Sequence, residues 1–275
     1  MEILDAHALV KRFGRRTVLD DVAIAIDAGA IHGLLGPNGS GKTTCLSLIT
    51  GLLEPDGGTI VVDGLDVSSP ASRLRFGFAP DDLPLPGALT GREYLALHDA
   101  LRARDDRERA TELADLLRLD DALDRPVADY SHGMRRKLQL VAAVMHEPRL
   151  LVLDEPFRGL DPEAATILRA LLVGFAGAGG AVLVATHDLL RAERDCDAVT
   201  ILDGGAVVAA GSPAELRARH PGARSLDDVF LEVTGRAAEA AGRQARLESV
   251  FSRTPQSPPT AAPTPDRPDP RESTP

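Results

Sequence analysis

Gly36-Pro37-Asn38-Gly39-Ser40-Gly41-Lys42-Thr43-Thr44 comes after an apolar run, Ile31 to Leu35, and leads into a helical pattern through Leu46, Leu48 and Ile49 that closes at Gly51. The apolar run reads as a buried strand, so the glycines fall at a strand-to-helix turn. That is the setting a phosphate loop needs. Gly36, Gly39 and Gly41 open backbone conformations closed to residues with a Cβ, and successive N–H groups can then converge on one anion. The helix beginning near Gly41 adds the positive end of its dipole. Lys42 is placed to reach the β and γ phosphates of a nucleotide. Thr43 can offer a hydroxyl to Mg²⁺, a hard cation that favours oxygen and keeps several waters. Pro37, Asn38, Ser40 and Thr44 complete the loop around the phosphates.

Outward from this loop the pattern predicts an α/β chain. Residues 2 to 10 and 17 to 26 alternate as strands on either side of a polar loop, Lys11 to Arg16, which suggests a hairpin. Phe13 lies in that loop, and an aromatic there serves either core packing or stacking. Gly57-Gly58 and Asp63-Gly64 bracket the strand Thr59 to Val62, and Arg75 to Ala79 is a further strand ended by Pro80. Thr90 to Arg104, Arg107 to Leu119 and Ser131 to Met145 then read as helices, a helical subdomain over about residues 82–147. Thr90 and Glu93 make a capping box, and Leu138, Val141, Ala142 and Met145 give the last helix its buried stripe.

Leu150 to Leu153 is apolar throughout and ends in Asp154-Glu155, which puts two acids at the carboxyl end of a strand buried on both faces. Asp154 there can hold a Mg²⁺ shell, and Glu155 can polarise a water against the γ phosphate. Asp161-Pro162 starts a helix, Ala181 to Ala185 and Ala198 to Leu202 are strands, and a hairpin through Gly204-Gly205 comes next. Two short helices are expected between Ser212 and Gly235. Residues 236–252 read as a short C-terminal helix and 253–275 as a disordered tail, because eight of the 20 prolines fall in the last 21 residues.

Composition sets limits on function. The chain has 275 residues, is 44% hydrophobic and 26% charged, and carries 31 Lys and Arg against 41 Asp and Glu, a formal charge of −10. It has no Trp and few other aromatics, so no basic aromatic platform for nucleic acid is expected. Cys45 and Cys196 make neither a disulfide framework nor a metal site, which points to a reducing compartment. The start, with Glu2 and Asp5, lacks the pattern of a signal peptide. Ala170 to Thr186 is uncharged, but its glycines divide it into a helix end, a turn and a strand rather than a membrane span.

Tyr130-Ser131-His132-Gly133-Met134 supplies the last mark. On its own Ser131 is a helix N-cap. After the phosphate loop and the Asp154-Glu155 pair, the chain resembles the nucleotide-binding subunits of ATP-binding cassette (ABC) transporters over about residues 2–235. The resemblance implies a P-loop fold with an antiparallel β subdomain, a parallel-sheet core and an inserted helical subdomain. It also implies that Ser131 and Gly133 match a signature motif that binds the γ phosphate held by an opposite subunit, while Tyr130, His132 and Met134 depart from it. By the same likeness Phe13 stacks on adenine, Gly159-Leu160-Asp161-Pro162 crosses to the partner, and His187 reaches the γ phosphate. Asp81 stands where the family has a glutamine that coordinates Mg²⁺. A carboxylate there has two readings, direct metal contact or repulsion from the γ phosphate, and the expectation is that Asp81 contributes to Mg²⁺ or water positioning.

The stretch Ser225 to Gly235 resembles the ending of ATPases that serve ABC-2 type exporters. The likeness implies an ATP hydrolase using Mg²⁺, two copies closing head to tail over two ATPs, and a separate integral membrane permease. Such a subunit works at the cytoplasmic face of the membrane. The alternative is a soluble ABC ATPase acting in translation or DNA maintenance, against which stand a single cassette and the lack of sustained heptads.

Overall fold

Alternating apolar residues build two long strands, β1 (Glu2–Phe13) and β2 (Arg16–Asp27), which pair antiparallel. In the computed structural model, which describes residues 1–81, 83–238, 242–243, 246–247 and 251, they run further than the pattern suggested. The expected loop from Lys11 to Arg16 is a two-residue turn: Phe13 is the last residue of β1 and faces Arg16 across the register. Gly14, at φ 59, permits so tight a reversal and lets the strands zip to their ends. β4 (Gly57–Val62) adds to the other side of β1, and β5 (Leu65–Asp66) completes a four-stranded sheet in the order β2-β1-β4-β5.

A second sheet carries the phosphate loop. β3 (Ile31–Leu35) lies at its centre with every residue buried, flanked in parallel by β8 (Ala181–Thr186) and β9 (Ala198–Asp203). β7 (Leu150–Asp154) and β6 (Phe76–Ala79) continue the parallel run beyond β8. β10 (Ala206–Gly211) closes the other edge antiparallel to β9. Strands buried on both faces need no alternation, which is why Leu150 to Leu153 and Ala181 to Ala185 are continuous apolar runs. One apolar cluster fills the space between the two sheets, with Leu4, Ile24, Leu34, Leu46 and Leu183 fully or nearly fully buried.

The helices cover the remaining faces: α1 (Lys42–Ile49), α2 (Gly91–Arg102), α3 (Arg107–Leu116), α4 (His132–Val144), α5 (Pro162–Gly177), α6 (Leu189–Asp195), α7 (Pro213–Arg219) and α8 (Leu226–Val233). Thr90 and Glu93 cap α2 reciprocally, as their spacing predicts, and Asp161 caps α5 by accepting from the Ala164 N–H at 2.8 Å. α4 departs from a one-sided stripe. Leu138 and Val141 face the core, but Leu140, Ala143 and Val144 are buried as well, because this helix is sandwiched between the β6–β7 region and α2 and α3. Gly77 of β6 permits the approach: a Cβ there would lie 1.8 Å from the carbonyl oxygen of Ala143.

Ala170 to Thr186 resolves into the end of α5, a turn and β8. Among the described residues no helix is long and apolar enough to cross a membrane. Residues 1–235 form one compact unit, and the described residues beyond 235 belong to a second. Within the expected helix 236–252, residues 237–238, 242–243, 246–247 and 251 are helical; the expected tail, 253–275, lies outside the described residues.

Candidate active site

β3 delivers the chain to the carboxyl edge of the sheet, where Gly36 begins the loop. A Cβ at Gly36 would stand 2.4 Å from the Leu202 carbonyl, and one at Gly41 would stand 2.6 Å from Leu19 Cδ2 at φ 108, so both positions exclude other residues. Gly41 is the N-cap of α1, and no side chain caps that end. The first N–H groups of the helix are therefore turned to whatever occupies the loop. Ser40 is buried with its Oγ unpartnered, a hydroxyl that a ligand oxygen could satisfy. The open cleft at this loop is walled by Arg16 and Val18 of β2, by Asn38 and Gly39, and by Gly41 to Thr44.

Lys42 is buried, and its Nζ donates to the carbonyls of Gly36 at 2.7 Å and Pro37 at 3.2 Å. Burial holds its pKa below the usual lysine value, against the opposing pull of Glu155 and Asp154. These carboxylates belong to the same electrostatic neighbourhood. Asp154, at the end of β7 and buried, has its pKa raised by burial first and by Asp81 and Glu155 after it.

Glu155 is the most constrained residue of the site. Its φ of 46 is left-handed, a conformation that costs a non-glycine residue about 1–2 kcal/mol. Its N–H is tied to the Ala185 carbonyl at 2.8 Å. Its carboxylate oxygens meet three donors at the end of β8: Oε2 accepts from Thr186 Oγ1 at 2.9 Å, and Oε1 accepts from the His187 N–H at 3.0 Å and lies 2.6 Å from His187 Nδ1. The plane of the carboxylate is thus fixed by a neighbouring strand.

Two arginines that the motifs did not single out organise the rest. Arg136 of α4, almost fully buried, donates to the Pro80 and Asp154 carbonyls and so joins the ends of β6 and β7 to this helix. Arg158 Nη1 donates to Asp81 Oδ2 at 2.6 Å. Asp81 thereby carries a cation on its carboxylate, and its charge reaches Asp154.

Ser131 and Gly133 lie elsewhere. Ser131 caps α4, its Oγ accepting from the Met134 N–H at 3.2 Å, and neither residue lines the cleft of the phosphate loop. His132 packs against Gly159, whose Cβ, if present, would be 2.6 Å from the imidazole Cδ2. Phe13 is half exposed with the Lys11 ammonium 5.7 Å from its ring centroid, and the cleft wall beside it comes from Arg16 instead. A charged residue opening a strand next to a glycine turn carries no sequence signal for that role.

The donor set suits Mg²⁺. Among the described residues no cluster of three His, Cys, Asp or Glu could cage a metal; Thr43 and Asp154 offer one hydroxyl and one carboxylate. A cation that keeps its waters and takes substrate phosphates needs no more.

Comparison with known proteins agrees with this geometry. A family model described as ABC transporter matches residues 19–158. Daunorubicin resistance ATP-binding protein DrrA3 of Streptomyces coeruleorubidus is 40% identical over 230 residues, 82% of this chain and 72% of the relative. Nod factor export ATP-binding protein I of Ralstonia nicotianae is 37% identical over 219 residues, 78% and 68% of the two chains. A solved structure, of the ATP binding subunit of an ABC transporter, superposes with a TM-score of 0.80 at 34% identity, covering 84% of this chain and 99% of the other. A nucleotide-free ATP-binding cassette from an ABC transporter gives 0.71 at 25% identity with the same coverage. Phosphate loop, acidic strand end and fold together show that the chain belongs to the ABC transporter family as one of its ATP-binding proteins, which are ATPases.

Proposed function

We propose that this chain binds and hydrolyses ATP to power export through a separate membrane permease, working as a pair of copies on the cytoplasmic face of the membrane. The relatives named for daunorubicin resistance and Nod factor export support the direction of transport. The observation that carries the two-copy reading is a separation. Lys42, Asp154 and Glu155 share one electrostatic neighbourhood, whereas the Ser131 cap does not line the cleft of its own phosphate loop. A second copy, turned head to tail, would bring its Ser131, Gly133 and α4 dipole over the nucleotide.

In this reading the N–H groups from Gly36 to Thr44 receive the phosphates and the Lys42 ammonium leaves the Gly36 and Pro37 carbonyls for the β and γ oxygens. Thr43 and Asp154 would hold Mg²⁺, and the ion would supply charge stabilisation to the transferring phosphoryl group. Glu155, its plane fixed by Thr186 and His187, orients the attacking water and accepts its proton. His187, bonded to Glu155 through Nδ1, keeps that carboxylate beside the γ phosphate. Phe13 and the Arg16 side of the cleft would face the nucleoside.

Glu155→Gln tests the reading. It should leave ATP binding intact, lower turnover by about 10²–10³-fold, and accumulate an ATP-bound dimer on size exclusion. A monomeric variant with undiminished turnover contradicts it.

A further inference from the structure

The charges of Asp81 and Glu155 both reach Asp154, at the end of the site where a triphosphate would bring its own negative charge. Two of these three carboxylates have partners on the strands of the sheet. Glu155 is held by Thr186 and His187, and Asp154 is buried with Lys42 close enough to feel its field. Asp81 has none of these. It sits on the segment leaving β6, and its field reaches Asp154, whose pKa it raises more than Glu155 does. Beside a polyanion, a third uncancelled acid would repel the ligand the site is built to hold.

The cancelling charge comes from the turn after β7. Arg158 lies three residues beyond Glu155, its N–H bonded to the Glu155 carbonyl at 3.1 Å, and its guanidinium meets Asp81 Oδ2 at 2.6 Å. The backbone around the pair is held by buried Arg136, which binds the carbonyls of Pro80 and Asp154 and whose guanidinium also feels the Asp81 charge, so Arg158 is the cation that meets the Asp81 carboxylate directly and Arg136 a second one behind it. The Asp81 side chain is 22% exposed and that of Arg158 64% exposed. A pair so open to water adds little to fold stability. Its consequence lies in what it does to the local field.

We propose that Arg158 is a positioning residue for nucleotide binding, the built-in counter-ion that cancels Asp81 and fixes it on the turn carrying Glu155, so that this acid does not repel the triphosphate. The inference rests on the reading of the phosphate loop as an ATP site. It assigns the counter-charge for Asp81 to an arginine of the same chain.

The test is equilibrium binding of ATP and of a fluorescent ATP analogue to the full chain, in EDTA and in Mg²⁺, for wild type, Arg158→Ala, Arg158→Lys, Asp81→Asn and the Asp81→Asn/Arg158→Ala double variant. Arg158→Ala should weaken binding about tenfold in EDTA and about threefold in Mg²⁺, since the metal removes part of the ligand's charge. Arg158→Lys should stay within about twofold of wild type, and the double variant should recover to within about twofold, because the uncancelled acid is gone. Unchanged binding by Arg158→Ala, a double variant no better than Arg158→Ala, or equal losses with and without Mg²⁺ would overturn the proposal. So would a weaker Mg²⁺ affinity of the nucleotide complex in Asp81→Asn, which would make Asp81 a metal ligand. A wild-type chain that binds no nucleotide would refute the ATP-site reading and the counter-ion with it; normal wild-type binding beside any of the other contrary results refutes the counter-ion alone.

Discussion

The phosphate loop and the acidic strand end do adjoining jobs but are built differently. The hydrogen bonds of the loop itself are short in sequence: Lys42 binds a carbonyl six residues back and the Ser40 N–H meets the Pro37 carbonyl, although Gly36 and Gly41 also need the close approach of Leu202 and Leu19. At the acidic end two carboxylates lean on distant residues. Glu155 depends on His187, 32 positions away, and Asp81 on Arg158, 77 positions away; Arg136 reaches 56 positions to Pro80. A local motif carries its own geometry. The Glu155 carboxylate has its geometry lent to it by residues at the end of the neighbouring strand.

The contrast is most exposed to failure at the loop. Lys42→Ala should cost about 3–4 kcal/mol of transition-state stabilisation, read as a loss of 10²–10³-fold in turnover, with thermal stability unchanged or raised because a buried ammonium has gone. If turnover fell by less than about tenfold, the loop would not be the charge-bearing half of the site.

Gly77→Ala probes the scaffold of the acidic end. The added methyl would strike the Ala143 carbonyl of α4, so unfolding free energy should fall by about 3 kcal/mol in urea titration. Retained stability would mean that β6 and α4 are free to separate.

The sheet beneath both regions adds a pH dependence. His32, buried on β3 and bonded through Nε2 to Thr200 Oγ1 at 2.9 Å, is pushed down to about 4 by burial. The folded pKa lies below the ordinary 6.5, so the unfolded chain takes up the proton first. Stability from this group is full above about pH 6.5 and is lost as pH falls toward 4, by about 2–3 kcal/mol. His98 and His146 are lowered to about 4 in the same way and contribute in the same direction. His32→Asn should flatten the acid limb of a stability-against-pH curve without abolishing it; an unchanged slope would mean that His32 is not buried neutral.

Smallest is Thr186→Val, which removes one donor from Glu155 and keeps the volume. We expect turnover to fall about tenfold with ATP affinity unchanged. An equal fall in affinity would place Thr186 on the nucleotide rather than behind the base.

This difference in construction explains what could be read from the sequence. The phosphate loop, the Asp154-Glu155 strand end and the Thr90-Glu93 cap are carried by local spacing and were legible; the order of strands around β3 was not, because it is set by pairing between residues far apart in the chain. Arg136, Arg158 and Thr186 were not, because nothing next to them in the chain tells a partner on another strand from a solvated side chain. Gly77 escaped for the same reason: the close approach it permits belongs to a helix far along the chain. Phe13 was placed in a loop because Lys11 to Arg16 is polar, yet cross-strand pairing extends the hairpin to a two-residue turn.

Whether one copy's Ser131 serves the other's Lys42 can be read by mixing two inactive variants. Lys42→Ala and Ser131→Ala should each lack activity as pure preparations; allowed to exchange, they form hybrids in which one site pairs an intact phosphate loop with an intact Ser131 cap. ATPase activity should return in the mixture to roughly a quarter of the wild-type rate. A mixture as inactive as its parts would contradict the shared site.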